Sequence, residues 1–404
     1  MSTTAVSTSP NSPTPTAAEV FAFADAEIGA AAAEQWPRAD IDLGDQVPSV
    51  TGYVRRIQVA DRPLHAKFSL LGVSLVSLLR GACGTWPQVR AAQREYVQRA
   101  DALIPREAAQ LRLLAETGRP RVCPVAGVRR GVLFTESVTG PSLAQLLLDR
   151  SQDSAALLTG VLGELRELHR PDAVRRLGPA GAIGERSIAG TFQRKFNGLS
   201  GPVYVQRLGA DRCAAGDRQD IVDVLGRVII RLHRLRMLPQ PYRRVLVYGD
   251  LKPEHVLFPH GPGQPPVFID PGLLLAGTAV DAAKLISRTV LMLAAARPGP
   301  ETGKHLAHGI AGLAAERMKG LPAKARRAWL AEVLVLWLMD SVNILTTYLS
   351  APAELPLPAQ GTALVNRAVD VCRMVDRISA DLATAGGTGA AWHSALNQAQ
   401  AVAA

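Results

Sequence analysis

Two carboxylates, each at the end of a short apolar run, give this 404-residue chain its first chemical handle. The run Val245-Leu-Val-Tyr-Gly-Asp250-Leu-Lys252-Pro-Glu-His255-Val-Leu-Phe258 reads as a buried strand, a tight turn carrying Asp250, and a second strand. Val267-Phe-Ile-Asp270-Pro-Gly272 reads as another strand ending in an acid. Acids so placed suit phosphoryl transfer: one orients the attacking hydroxyl, and the other holds a divalent cation that bridges nucleotide phosphates. That transition state is loose, so positioning and charge neutralisation matter more than base strength.

Such a site also needs a strand lysine for the α- and β-phosphates and a helix glutamate that holds the lysine in place. Lys67 lies on a predicted strand after the turn glycine Gly52, and Glu107 opens a leucine-patterned helix. Alone, Lys67 would read as a surface lysine on a hairpin. The order Gly52, Lys67, Glu107, Glu136, Asp250, Asp270 turns the reading toward nucleotide binding. Lys252, two residues after Asp250, is open to two readings: a cation facing the transferred phosphate, or a solvated loop lysine.

The stretch Tyr248-Gly-Asp250-Leu-Lys252-Pro-Glu-His255 with Asp270-Pro-Gly272 resembles the catalytic and metal motifs of the aminoglycoside phosphotransferase and choline kinase type, itself protein kinase-like. Glu107 to Leu114, Val132 to Glu136 and Gly140-Pro-Ser-Leu143 are similar to that family's helix, linker strand and following helix. The resemblance spans roughly residues 50 to 290. It implies an α+β, two-lobed protein kinase-like fold, with a small β-rich N-lobe and a larger, mostly helical C-lobe. It further implies that the linker at 135–138, with Glu136 and Ser137, meets adenine through its backbone. Asp250 then orients the acceptor hydroxyl, Asp270 is the principal metal ligand, and Asp281 braces the catalytic loop. Two departures stand out. Tyr248 replaces a histidine, and His255 replaces the asparagine that ligates a second metal, which opens a preference for Mn²⁺ over Mg²⁺.

The elements that must position these groups are partly legible. Residues 1–17 are rich in Ser, Thr and Pro and read as a disordered tail. The N-lobe is expected over 18–138, starting with a helix at 18–36, with a hairpin at 52–68 and a helical insertion at 70–106. The C-lobe is expected over 139–385, with a Gly-rich loop near 178–201, and a flexible tail over 386–404. The apolar stretch Val333 to Met339 is too short to span a bilayer and reads as a buried helix.

Lys and Arg number 45 against 35 Asp and Glu, a net charge of +10 that favours anionic partners. No nucleic-acid-binding signature accompanies the charge, and no membrane contact is expected. The four cysteines, at 83, 123, 213 and 372, are too far apart for a zinc site and suit reduced thiols in a cytoplasmic protein.

The expected function is therefore ATP-dependent transfer of a phosphoryl group to an acceptor hydroxyl, with Mg²⁺ or Mn²⁺. The acceptor is a small molecule or an acidic peptide. Arg80, Arg90, Arg94, Arg99 and Arg106 suggest a basic docking element for Ser or Thr of a precursor peptide in natural-product (ribosomal peptide, lanthipeptide-like) biosynthesis. Two alternatives stay open: a weakly catalytic pseudokinase that serves as a scaffold or partner subunit, and an antibiotic-resistance kinase.

Overall fold

Thr16 caps the first helix, α1 (Ala17–Gln35): its hydroxyl accepts from the Glu19 N–H, and the Glu19 carboxylate accepts from the Thr16 N–H. Val20, Ala24, Ile28, Ala31 and Ala32 recur at helical spacing and are buried, which lays α1 against a sheet. The computed structural model describes residues 14–177, 181–198, 200–235, 244–384 and 387–404. Most of the tail expected over 1–17 thus lies outside the described residues, while Ala17 is buried.

The sheet has five antiparallel strands, β1 (Ile41–Val47), β2 (Tyr53–Val59), β3 (Arg62–Phe68), β4 (Val125–Arg129) and β5 (Val132–Glu136), in the order β1-β2-β3-β5-β4. Tyr53 pairs with Phe68 and Val59 with Arg62, so only Ala60 and Asp61 form the turn of the expected hairpin. Ala60 takes a left-handed conformation there (φ 50°), which the tight turn demands. The sequence did not announce β1. Its register slips between Leu43 and Gln46, where Gly44 and Asp45 interrupt the alternation that marks a strand.

Helices α2 (Leu75–Leu79), α3 (Trp86–Tyr96) and α4 (Leu103–Thr117) lie between β3 and β4 in the chain. The helical insertion expected at 70–106 is shorter than predicted, because α4 already starts at Leu103, with Ile104, Glu107 and Leu111 buried.

The larger lobe is helical. Its elements are α5 (Leu143–Asp149), α6 (Ser154–Glu164), α7 (Pro171–Leu177), α8 (Ile188–Phe196), α9 (Ser200–Gln206), α10 (Ala215–Leu235), α11 (Ala279–Ala296), α12 (Pro300–Met318), α13 (Ala323–Leu349), α14 (Ala359–Asn366), α15 (Ala368–Ala383) and α16 (Gly387–Ala401). The architecture is a two-lobed α+β fold. α8 corrects the expected Gly-rich loop at 178–201: Phe192 and Phe196 are buried and pack with tilted rings, 4.8 Å between centroids. α16 corrects the flexible tail expected over 386–404. Its small residues form a face (Ala391, Ala395, Ala399) that lets Trp392 pack edge-on to Trp337 of α13. α13 is long and apolar enough to cross a membrane, but its middle is buried in the helical lobe and carries Asp340 and Asn343 inward.

Two small antiparallel sheets hold the acids: β6 (Val245–Val247) with β9 (Leu274–Ala276), and β7 (Val256–Leu257) with β8 (Val267–Phe268).

Candidate active site

All three residues of β6 are buried, and the chain leaves the strand through Tyr248 and Gly249 into Asp250. Gly249 has φ 80°, and a Cβ there would lie 2.2 Å from the Gly272 carbonyl oxygen. Only glycine lets the Asp250 and Asp270 turns approach this closely. Asp281, at the start of α11, accepts from the N–H groups of Tyr248 (2.9 Å) and Gly249 (2.7 Å). The Tyr248 hydroxyl donates to the Ile269 carbonyl at 2.9 Å, so this side chain ties the catalytic turn to the one that carries Asp270.

Asp250 ends a line of alternating buried charges. One oxygen lies 2.8 Å from Lys252 Nζ and the other 3.3 Å from Lys284 Nζ. Lys284 also contacts Asp340 at 3.0 Å, and Arg288 Nε donates to Asp340 at 2.7 Å. Burial alone would raise the Asp250 carboxyl, but Lys252 and Lys284 hold it well below the ordinary value of 3.8. It is an anion with a 20% exposed side chain, reachable from the cleft. Lys252, 18% exposed, is committed to that carboxylate, which disfavours the solvated-loop reading.

Across the cleft, Lys67 Nζ donates to Glu107 at 2.6 Å and to Asp270 at 2.9 Å. Glu107 is 1% exposed, and Arg186 stands 3.9 Å from its second oxygen. Burial raises Glu107 despite the pull of Lys67. Burial would lower Lys67, yet Asp270 and Glu107 together raise it, so the lysine stays a cation. Asp270 is held far below the usual carboxylate range: burial opposes ionisation, and Lys67 and His255 overcome it. Its backbone is left-handed (φ 56°), an uncommon conformation for a residue with a side chain, and here it marks the turn that aims the carboxylate into the cleft.

His255 Nε2 lies 3.8 Å from the second Asp270 oxygen. Its Nδ1 is buried without a hydrogen-bond partner among the described residues. Burial, then Lys252, lowers its pKa below 6.5, which leaves a neutral imidazole able to donate a lone pair.

A family model described as the phosphotransferase enzyme family matches residues 88–333, more than half of the chain. The chain belongs to that family. It is a phosphotransferase. No curated protein matches it. Among solved structures, an ethanolamine kinase from Plasmodium vivax has 12% identity over 85% of this chain and 85% of that one, with a TM-score of 0.45. An aminoglycoside-3'-phosphotransferase of type VIII has 20% identity over 78% of this chain and 99% of that one, with a TM-score of 0.42. A choline kinase from Cryptosporidium parvum Iowa II has 11% identity over 87% and 96%, with a TM-score of 0.43.

In this phosphotransferase the pair Asp270 and His255 fits a divalent cation. Two donors stand close enough for one ion, and no cluster of three His, Cys, Asp or Glu occurs among the described residues. A cation here would take its remaining ligands from phosphate oxygens and water, as Mg²⁺ does in nucleotide sites.

Two sequence expectations change on the nucleotide side. The Gly52 N–H already donates to Ser49 Oγ (3.4 Å), a Cβ at Gly52 would meet only ordinary contacts, and its φ is not left-handed. Nothing local requires glycine at position 52, and Ser49 organises the β1–β2 loop. In the linker, the Glu136 N–H goes to the Pro124 carbonyl and the Ser137 N–H to the Pro63 carbonyl. Glu136 pairs with Arg62 on the surface (3.0 Å), and Ser137 Oγ lies 3.1 Å from His65 Nδ1. Neither amide is left for adenine, whereas the Val138 N–H has no backbone partner among the described residues.

Lys284, Arg288 and Asp340 escaped the sequence reading. The available signal was a lone Asp340 in the apolar Trp337-Leu-Met-Asp-Ser-Val342, together with Lys284 and Arg288 four residues apart on one predominantly apolar helix. A buried acid on one helix calls for a buried cation on another.

Proposed function

We propose that this phosphotransferase moves the γ-phosphoryl group of ATP, bound with Mg²⁺ or Mn²⁺, to an acceptor hydroxyl. The observation that carries the reading is Lys67 held between Glu107 and Asp270, with an ionised Asp250 facing the same cleft. Lys67 would bind the α- and β-phosphates. Asp270 and His255 would hold the cation, which on binding neutralises charge on the β- and γ-phosphates. Asp250 would orient the acceptor hydroxyl and take its proton as the new P–O bond forms and the bond to ADP breaks. Lys252, beside Asp250, would meet the oxygens of the group in flight. The assembled ion pairs favour turnover over the scaffold reading.

The acceptor we favour is the Ser or Thr hydroxyl of an acidic precursor peptide in natural-product biosynthesis, in keeping with the net charge of +10 and a cytoplasmic setting. Of the five arginines proposed for docking, Arg99 pairs with Asp101, Arg106 pairs with Glu185, and Arg90 lies 5.9 Å over the Phe23 ring. Arg80 and Arg94 carry what is left of that idea. The test is incubation with ATP, either metal and acidic Ser/Thr peptides, read by mass spectrometry with Asp250→Asn as control. Phosphopeptide from wild type alone supports the reading. Peptide left unmodified while a small alcohol is phosphorylated would overturn the peptide acceptor.

A further inference from the structure

A second cavity, of about 250 Å³, opens between α2 of the small lobe and α8, α9 and α13 of the large one. Its lining includes three cations, Arg80, Arg194 and Lys195, and no carboxylate. Their partners are all neutral. Lys195 Nζ donates to the Asn343 carbonyl at 2.7 Å, to Thr347 Oγ1 at 2.5 Å and to Thr346 Oγ1 at 3.5 Å. Arg194 reaches the Glu185 carbonyl and Thr191 Oγ1. Arg80 has no side-chain hydrogen bond or ion pair among the described residues. Like charges gathered on the wall of one cavity repel one another, a cost that an anion in the cavity would offset. Burial, opposed by the nearby Asp340 and reinforced by Arg288 and Arg194, pushes Lys195 down to about 7.

A relay of buried contacts runs from the cavity wall to Asp250. Lys195 is anchored at Asn343, one turn of α13 beyond Asp340, and Asp340 holds the Lys284 that touches Asp250. Hydroxyls complete the lining: Ser74 and Ser77 on one side, Thr347 and Tyr204 on the other.

We infer that this cavity is an anion-binding subsite, in which Arg80, Arg194 and Lys195 seat a carboxylate or phosphate group carried by the acceptor while its hydroxyl lies toward Asp250. The acceptor's part in this rests on the phosphotransferase reading above; the anion site itself does not. A peptide whose acidic residue lies near the modified Ser or Thr meets the requirement, as does a small hydroxy acid or phosphorylated alcohol. A free polycationic acceptor does not.

The experiment is calorimetric titration of glutarate and of inorganic phosphate into the full chain saturated with AMP-PNP and Mg²⁺, which closes the nucleotide site to both anions. At least one anion should bind, and Lys195→Met and Arg80→Gln should each weaken it about tenfold or more, as loss of a charged hydrogen bond does. AMP-PNP affinity should stay unchanged in both variants. Because the two residues lie in different lobes, failure of one variant to fold leaves the other to decide. Binding of glutarate would mark the acceptor group as a carboxylate, and binding of phosphate alone would mark it as a phosphoryl group. Absence of binding by both anions, or equal binding by wild type and both variants, would overturn the inference. Loss of AMP-PNP binding by the wild type would defeat the nucleotide reading instead, and the anion titration run without nucleotide would still judge the cavity through the same variants.

Discussion

Lys284 Nζ lies 3.3 Å from an Asp250 carboxylate oxygen, and the same ammonium contacts Asp340 at 3.0 Å. Asp250 is thus fixed from behind by a buried cation, which is itself fixed by a buried acid on another helix. The line continues to Arg288, so two cations share Asp340.

Removing Asp340 should therefore be costly. Asp340→Ala leaves Lys284 and Arg288 buried without their acid, and breaking a buried pair from one side costs about 3–5 kcal/mol. Chemical denaturation should show a loss of that order with an unchanged slope. A loss below about 1 kcal/mol, the range of exposed pairs, would contradict the buried network.

Asp250 should prove chemical as well as structural. Asp250→Asn keeps the size of the side chain and removes the proton acceptor, so kcat should fall about 10²–10⁴-fold while nucleotide affinity holds. Equal losses in kcat and in nucleotide affinity would place Asp250 in binding.

The pH profile follows from the depressed carboxyl. The folded-state value of Asp250 lies below the ordinary 3.8, so its contribution to stability is present above 3.8 and is lost as pH falls through the folded value. His255 is lowered below 6.5 and is neutral above it. Between pH 6.5 and about 8 kcat should be flat on the acid side. An acid limb centred near 7 would contradict both assignments.

His255 should govern metal choice. A nitrogen donor suits Mn²⁺ better than Mg²⁺, so His255→Asn should shift the ratio of activity in the two metals toward Mg²⁺. An unchanged ratio would remove His255 from the ligand set.

What the sequence revealed divides by distance along the chain. The β2–β3 hairpin and the Asp250 and Asp270 turns are local, written in alternation and turn residues, and they stand where the reading placed them. β1 was hidden by its Gly44-Asp45 irregularity, and α16 by a small-residue composition that resembles an unstructured tail. The Asp340 network was hidden because 52 positions separate it from Arg288 and only the packing of α11 on α13 brings the two together. The Gly52 N–H meets Ser49 Oγ at 3.4 Å, a local contact that the glycine's place in the chain order did not announce.

The central claim is that Lys67 and Asp270 form a metal–nucleotide site. Calorimetric titration of AMP-PNP with Mg²⁺, and separately with Mn²⁺, into wild type and Asp270→Ala tests it most directly. Metal-dependent binding by the wild type, weakened about tenfold or more in the variant, is the predicted result. Wild-type binding that ignores the metal, or an Asp270→Ala variant that binds as wild type does, would contradict it.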